Sequence, residues 1–377
     1  MPFDFDAAVQ APFRMQPGLR RMAPGAAHLT PLAPGSRHQR EKLAVLSAFA
    51  PQALLRRAGF DARPALHALA RHAAAEHPQA FSWDGRRAEA LLLSTAVECD
   101  AGEADDRMGE AVEAQNAAET VRVVQMAPGR FGLGDEVARC LQGLPAGWRL
   151  AGLVALAFAE DFAIVDARDG TVPWLAVTLP SHWAPEEKVG RHFAAVHAPV
   201  ADNALLLKAS DSLVRLVSGA DAGARWERFV WTVTDHPRLH AHPARLAHPR
   251  WRDTPVERAW WRTERQTFIP LPEMAQAIFT IEVALTPLAE AVADPARARA
   301  LHAAIASMSE AVLAYRGLAG VREPLLACLA ERACTAQTPA ETPATAPGET
   351  TAATADDTSA HASTHASATT PAGPATN

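Results

Sequence analysis

The sequence predicts an α+β fold with a disordered C-terminal tail. Three observations lead there. From His38 to about Leu150, apolar residues recur at helical spacing. After Leu150 the pattern turns to short, β-prone apolar runs around turn residues. From Pro295 helical patterns return, so helices and strands are segregated and do not alternate as βα units.

Each element follows from local pattern. Residues 1–37 are rich in Pro and Gly and lack periodicity, which predicts an extended arm lying across the fold. A domain over residues 38–334 then divides into a helical part (38–150), a sheet (151–290) and C-terminal helices (291–334). Leu43, Leu46, Phe49, Leu54 and Leu55 keep helical spacing, with Pro51 marking a break or restart. A second helix is predicted from Pro64 to about His77, a third within Arg86 to Glu98, a fourth from Arg107 to Ala118. The apolar runs Leu153 to Val165 and Val172 to Leu179 flank Asp166-Ala167-Arg168-Asp169-Gly170, which predicts a hairpin. Pro180 to Lys188 reads as a helix start, with Pro185 in the first turn and acidic residues after it, running to about Val196. Strands are predicted over Arg228 to Val233, Arg258 to Ile269 and Gln276 to Leu285, and helices over Pro295 to Ser309 and Pro324 to Ala333. Residues 335–377 are Ala, Thr, Pro and Ser with almost nothing large and apolar, too little to offset the entropy of ordering.

Composition excludes several function classes. Net charge is −6 over 377 residues, and four of the acids (Glu341, Glu349, Asp356, Asp357) lie in the tail, so there is no electrostatic footprint for nucleic acid or an anionic membrane. No apolar run reaches membrane-spanning length. The start Met1-Pro2-Phe3-Asp4 lacks a basic, then apolar, leader pattern, and the four scattered cysteines form no CxxC pair. A reducing cytoplasm is the expected location. Three lysines against 33 arginines reads as genome composition rather than chemistry.

The candidate chemistry gathers in the β-rich middle. Seven of nine tryptophans fall between 174 and 261, and seven of fifteen histidines between 182 and 248. That combination fits either an aromatic-lined pocket with a titratable nitrogen or a Trp-rich core with surface histidines. On a strand, Trp260, Arg262, Glu264, Gln266 and Phe268 share one face and Trp261, Thr263, Arg265, Thr267 and Ile269 the other. An Arg there either clamps a carboxylate bidentately or belongs to a Glu–Arg ladder facing solvent. His197, after an apolar run and before Pro199, fits either a haem or metal ligand or a satisfied core histidine. His240, His242 and His248 sit in a Pro-rich loop without metal-site spacing, and Gly129 to Gly134 matches neither a dinucleotide fingerprint nor a P-loop.

Taken together, certain strings resemble one family. They are Glu160-Asp161-Phe162, Leu179-Pro180-Ser181-His182-Trp183, Glu187-Lys188-Val189-Gly190, Val196-His197-Ala198-Pro199-Val200, Arg262 to Phe268, Leu271-Pro272 and Ile278 to Ile281. Pro17 to Arg20 and Tyr315-Arg316-Gly317 add weaker matches. The chain is similar to the haem-binding, PAS-fold subunit of haem-dependent oxidative N-demethylases. The resemblance implies a PAS-like antiparallel sheet with flanking N- and C-terminal helices, holding haem b through a histidine. It implies monooxygenase-like oxidation of a small alkylamine by dioxygen, with release of formaldehyde and electrons from NADPH through separate flavin-containing reductase subunits. His197 occupies the family's ligand position for the iron, with His182 and His192 close by. Glu264 and Gln266 are the expected catalytic pair, and Arg265, Trp183 and Lys188 the expected further haem contacts. A haem sensor without turnover and a non-catalytic subunit are the alternative expectations. Ala159, where the family carries a polar residue, leaves the substrate open.

Overall fold

Two twelve-residue segments, Trp260–Leu271 and Gln276–Pro287, form the longest ladder of the protein, pairing from Trp260 with Pro287 to Leu271 with Gln276. Pro272–Met274 closes the turn between them, and Ala275 takes a left-handed φ of 51° to do so. This is a computed structural model, and it describes residues 3–99, 121–220, 224–246 and 250–334. Around the ladder lies a seven-stranded sheet, antiparallel throughout. Its order is Arg20–Arg21, Trp226–Thr234, Trp260–Leu271, Gln276–Pro287, Asp161–Asp166, Thr171–Ala176 and Leu54–Arg56. Numbered by chain position, its five central strands run third, fourth, fifth, first, second. The arm contributes an edge strand, as Arg20 and Arg21 pair with Glu227 and Trp226.

Side chains alternate across this sheet. One face carries Phe162, Ile164, Trp174 and Ile278 onto the helices Arg37–Ala53, Arg63–Glu76 and Arg149–Ala157. Further along, the same face packs Trp231, Val233 and Trp261 against Pro295–Ala306, Glu310–Tyr315 and Arg322–Cys334. The opposite face presents Ala163, Leu175, Phe279, Ile281 and Val283, and is covered by Trp183, Val189, Val196 and Val217 from residues 181–217. The helical layer is pinned to the sheet by Lys42. Its fully buried ammonium donates to the carbonyls of Phe158 (3.1 Å) and Glu160 (2.6 Å) and lies 3.3 Å from Asp161.

The structure corrects several expectations. Leu153 to Val165 is not one strand: Arg149–Ala157 is a helix and Asp161–Asp166 the strand. Every residue from Leu150 to Ala157 is buried, so the helical period leaves no polar stripe to betray it. Arg86 to Glu98 is not a helix but the strands Arg87–Ala90 and Thr95–Cys99. With Phe81–Trp83 and Val121–Gln125 they form a second, four-stranded sheet that the sequence reading missed. Leu54 and Leu55 leave the first helix for a strand beyond the kink at Phe49. The predicted helix from Pro180 to Val196 breaks into a turn at Pro185–Glu187 and a helix at Phe193–His197, because Gly190 holds a φ of 73°. The helix Ala204–Arg215 was also not anticipated. The predicted helix from Arg107 to Ala118, the tail and His248 lie outside the described residues.

Candidate functional site

The motif Phe193-Ala194-Ala195-Val196-His197 becomes a short helix because His192 caps it, its Nδ1 accepting from the Ala194 amide at 3.2 Å. At the far end, Nδ2 of Asn203 donates to the carbonyls of His197 (3.0 Å) and Ala198 (2.8 Å), where the helix runs out of its own donors. Lys188 closes the third side, its ammonium donating to the Val196 carbonyl at 3.2 Å. His197 is thereby fixed in backbone position. Its Nδ1 lies 2.8 Å from the Phe193 carbonyl. A carbonyl only accepts, so Nδ1 carries the proton and Nε2 keeps its lone pair. Burial, with the nearby charges of Arg228 and Lys188, pulls this imidazole down to about 4 against the bond to Phe193. A neutral imidazole with one nitrogen tied to a backbone acceptor and the other free is the form that ligates a metal.

Opposite this helix, the even positions of Trp260–Leu271 supply the polar groups. Glu264 is 8% exposed and accepts from Nε2 of Gln266 at 2.6 Å. Arg228 stands opposite Gln266 in register and on the same face. Burial lowers its pKa, offset by the charges of Glu264 and Tyr315, and its Nε has no hydrogen-bond partner. Arg228 thus neighbours both His197 and Glu264 electrostatically. Trp183, Phe279, Trp226 and Leu285 are half-buried and pack on this side of the sheet. Arg228 is the residue that sequence reasoning missed. Its signal was available: an arginine at an inward position of a strand whose neighbours are Trp226 and Val230.

The other expected residues fall as follows. Trp183 joins Val196 and Phe279 around one apolar cluster beside the His197 helix. Lys188 braces that helix through Val196. Arg265 points to the opposite face from Glu264, where it pairs with Glu227 at 3.1 Å and donates to the Ala27 carbonyl at 2.9 Å. The structure does not bring its guanidinium together with His197. Arg262 shares the Glu264 face but serves the backbone. Its guanidinium donates to Ser181 Oγ (2.7 Å) and to the carbonyls of Leu179, Pro180, Arg238 and Leu239. Burial brings it down to about 10.

The neighbouring histidines separate by their partners. His192 spends its Nδ1 lone pair on the helix cap, and its Nε2 lies 3.6 Å from Asp211. His182, at a φ of 63°, places Nε2 3.3 Å from Thr234 Oγ1 and leaves Nδ1 buried without a partner. Burial, then Arg250 and Arg262, holds it neutral at about 2. His242 caps a turn and reaches Glu186, while His240 meets the Thr178 carbonyl, so these two share no centre. Among the described residues, His28, His72 and Glu76 do cluster within 4.8 Å. Arg225 Nη2 sits 3.0 Å from His28 Nδ1 and 3.6 Å from Glu76, so a guanidinium already supplies the cation there. Two surface clefts, of about 520 and 690 Å³, open beside Leu46 and Cys140 and beside Arg57 and Glu273, and none of the site residues lines them.

The cysteines form no disulfide, and no described helix is long and apolar enough to cross a membrane. Residues 144–326, which carry the helix Phe193–His197, Arg228, Glu264 and Tyr315, match the family model haem-dependent oxidative N-demethylase, alpha subunit-like. Over those residues the chain is similar to that family.

Proposed function

We propose that this chain is the haem-bearing subunit of an oxidative N-demethylase acting on a small, dimethylamine-like alkylamine. The single observation that carries the reading is the His197 imidazole, neutral, with Nδ1–H held by the Phe193 carbonyl and Nε2 left without a hydrogen-bond partner among the described residues. The order of the five central strands supports a PAS-like reading of the sheet. The residues present fit haem b: His197 offers the axial nitrogen, Trp183 and Phe279 flat apolar surface, and Arg228 a half-buried cation with an unpartnered Nε and no anion at ion-pair distance among the described residues. When bound, haem supplies the redox-active iron at which dioxygen is reduced and the N-methyl carbon is oxidised. The overall change balances: one N-methylamine, one dioxygen, one NADPH and one proton give the amine shortened by its methyl group, one formaldehyde, one water and one oxidised NADP. The electrons are delivered through a separate flavin-containing partner.

The chain's own residues divide the work. Gln266 Nε2 fixes one oxygen of Glu264, which leaves the other to attract a protonated amine and accept its proton. The Phe193 carbonyl and Asn203 hold the His197 ring and backbone still, so ligation costs little ordering. The aromatic lining excludes water around a carboxylate whose attraction for a cation strengthens in low dielectric.

An absorption spectrum of purified protein before and after dithionite tests the cofactor. A Soret band that His197→Ala abolishes or shifts is expected, and colourless protein from haem-replete cells refutes the reading. Formaldehyde release from dimethylamine with a reductant tests turnover. Reversible gas binding without formaldehyde from any amine would replace the enzyme by a sensor.

A further inference from the structure

We infer that Arg228 is a carboxylate-binding residue of the site around His197. Three observations converge. Arg228 is half-buried on the sheet face that carries Glu264 and Gln266, with its Nε buried. Its Nε has no hydrogen-bond partner, and no carboxylate reaches ion-pair distance of it among the described residues. The other deeply buried guanidinium groups of this face and its edge, among the described residues, donate through their terminal nitrogens, although Arg250 and Arg316 also keep a buried Nε without a partner. Arg262 is held by four carbonyls and a hydroxyl, Arg250 donates to Val233 and Arg316, and Arg316 donates to Trp231.

A buried charge left unpaired is costly, and a guanidinium matches a carboxylate in shape and hydrogen-bond geometry. Glu264 helps but is held by Gln266 and does not close onto Arg228. Lys188, the other cation near His197, spends a proton on the Val196 carbonyl. The groups facing Arg228 are therefore one carboxylate at a distance, the Tyr315 hydroxyl and the His197 imidazole, none of which completes a fork. The missing partner is an anion brought by a ligand. Two ligands could bring a carboxylate here: a porphyrin through its propionates, or an N-methyl amino acid whose ammonium meets Glu264. The inference extends the reading of His197, but its porphyrin arm is independent of iron.

The experiment uses the full chain. Metal-free protoporphyrin IX and its dimethyl ester are titrated separately, followed by quenching of tryptophan fluorescence, with haem and haem dimethyl ester in parallel. N-methylglycine and dimethylamine are then titrated into haem-loaded protein, followed by the Soret band. Losing one partner of a buried charged pair typically costs about tenfold or more in affinity. The diacid is accordingly expected to bind at least about tenfold tighter than the ester, with Arg228→Met removing the preference and Arg228→Lys restoring part of it. If porphyrins show no preference but N-methylglycine perturbs the spectrum at about tenfold lower concentration than dimethylamine, and Arg228→Met removes this, the carboxylate belongs to the substrate. Absence of both preferences in the wild-type chain overturns the inference, even if the Met variant does not fold. A retained diacid preference with no Soret response to haem would instead refute His197 as the ligand and leave Arg228 standing.

Discussion

The neutrality of His197 has a consequence that a pH series reads directly. Haem ligation needs the unprotonated imidazole, so affinity is full above the group's pKa in the folded protein and is lost as the pH falls through it. Burial places that value at about 4, against an ordinary 6.5. The protonated fraction lowers apparent affinity by one plus ten to the power (pKa − pH). Between pH 8 and pH 5 a group at about 4 loses only about 10% of its affinity, whereas an ordinary histidine loses about thirtyfold. The assay is transfer of haem from this chain to a competing haem scavenger at each pH, read at the Soret band. Metal-free protoporphyrin, measured in parallel, subtracts titration of the propionates. Affinity that is flat to pH 5 and falls about tenfold per unit below 4 is expected. A thirtyfold loss by pH 5 would refute the buried, Phe193-held imidazole. A flat profile that His197→Ala leaves unchanged would move the ligand to His182, whose Nδ1 is unpartnered.

Two further perturbations test the scaffold that presents the site. Arg262→Met strips donors from the three buried carbonyls of Leu179, Pro180 and Leu239 and the part-buried one of Arg238, at about 1–3 kcal/mol for each buried acceptor left unsatisfied. A loss above about 3 kcal/mol in urea denaturation is expected, and a loss under about 1 kcal/mol would mean the 179–181 and 238–239 segments hold without it. Gly170→Ala would drive a methyl group into the His192 imidazole from a backbone φ of 68°. It should cost about 1–3 kcal/mol and unseat the cap of the ligand helix, broadening the Soret band; unchanged stability and spectrum would show that the cap is dispensable.

Much of this architecture was legible in the sequence wherever a period exposed it. The alternation along Trp260 to Ile269 placed Glu264 and Gln266 on one face and Arg265 on the other, and the register confirms that division. The same strand posed a question that alternation could not answer, because buried charge on both faces fits a ligand clamp or a structural staple equally well. Packing resolved it residue by residue: Arg262 staples two loops, Arg265 ties the arm through Glu227, and Arg228 on the neighbouring strand keeps an unsatisfied nitrogen. Where every residue of a segment is buried, as in Leu150 to Ala157, the sequence carries no period and the helix stays hidden. The second sheet was missed because its strands are short and their polar positions resemble a helix surface.

The sequence by itself determined the α+β order, the long hairpin around Leu271-Pro272, the family strings and the candidacy of His197. Those depend on local periodicity, turn chemistry and residue identity, all of which are written along the chain. The tertiary structure alone decided that His197 ties Nδ1 to a backbone carbonyl and that Arg228 keeps an unpartnered Nε near it. A hydrogen-bond partner such as Phe193 is close in sequence but is chosen by helix geometry, and the company of Arg228 comes from strands and helices far apart in sequence. Burial and pairing are properties of the assembled fold, so the chemistry they confer appears only once the chain has closed on itself.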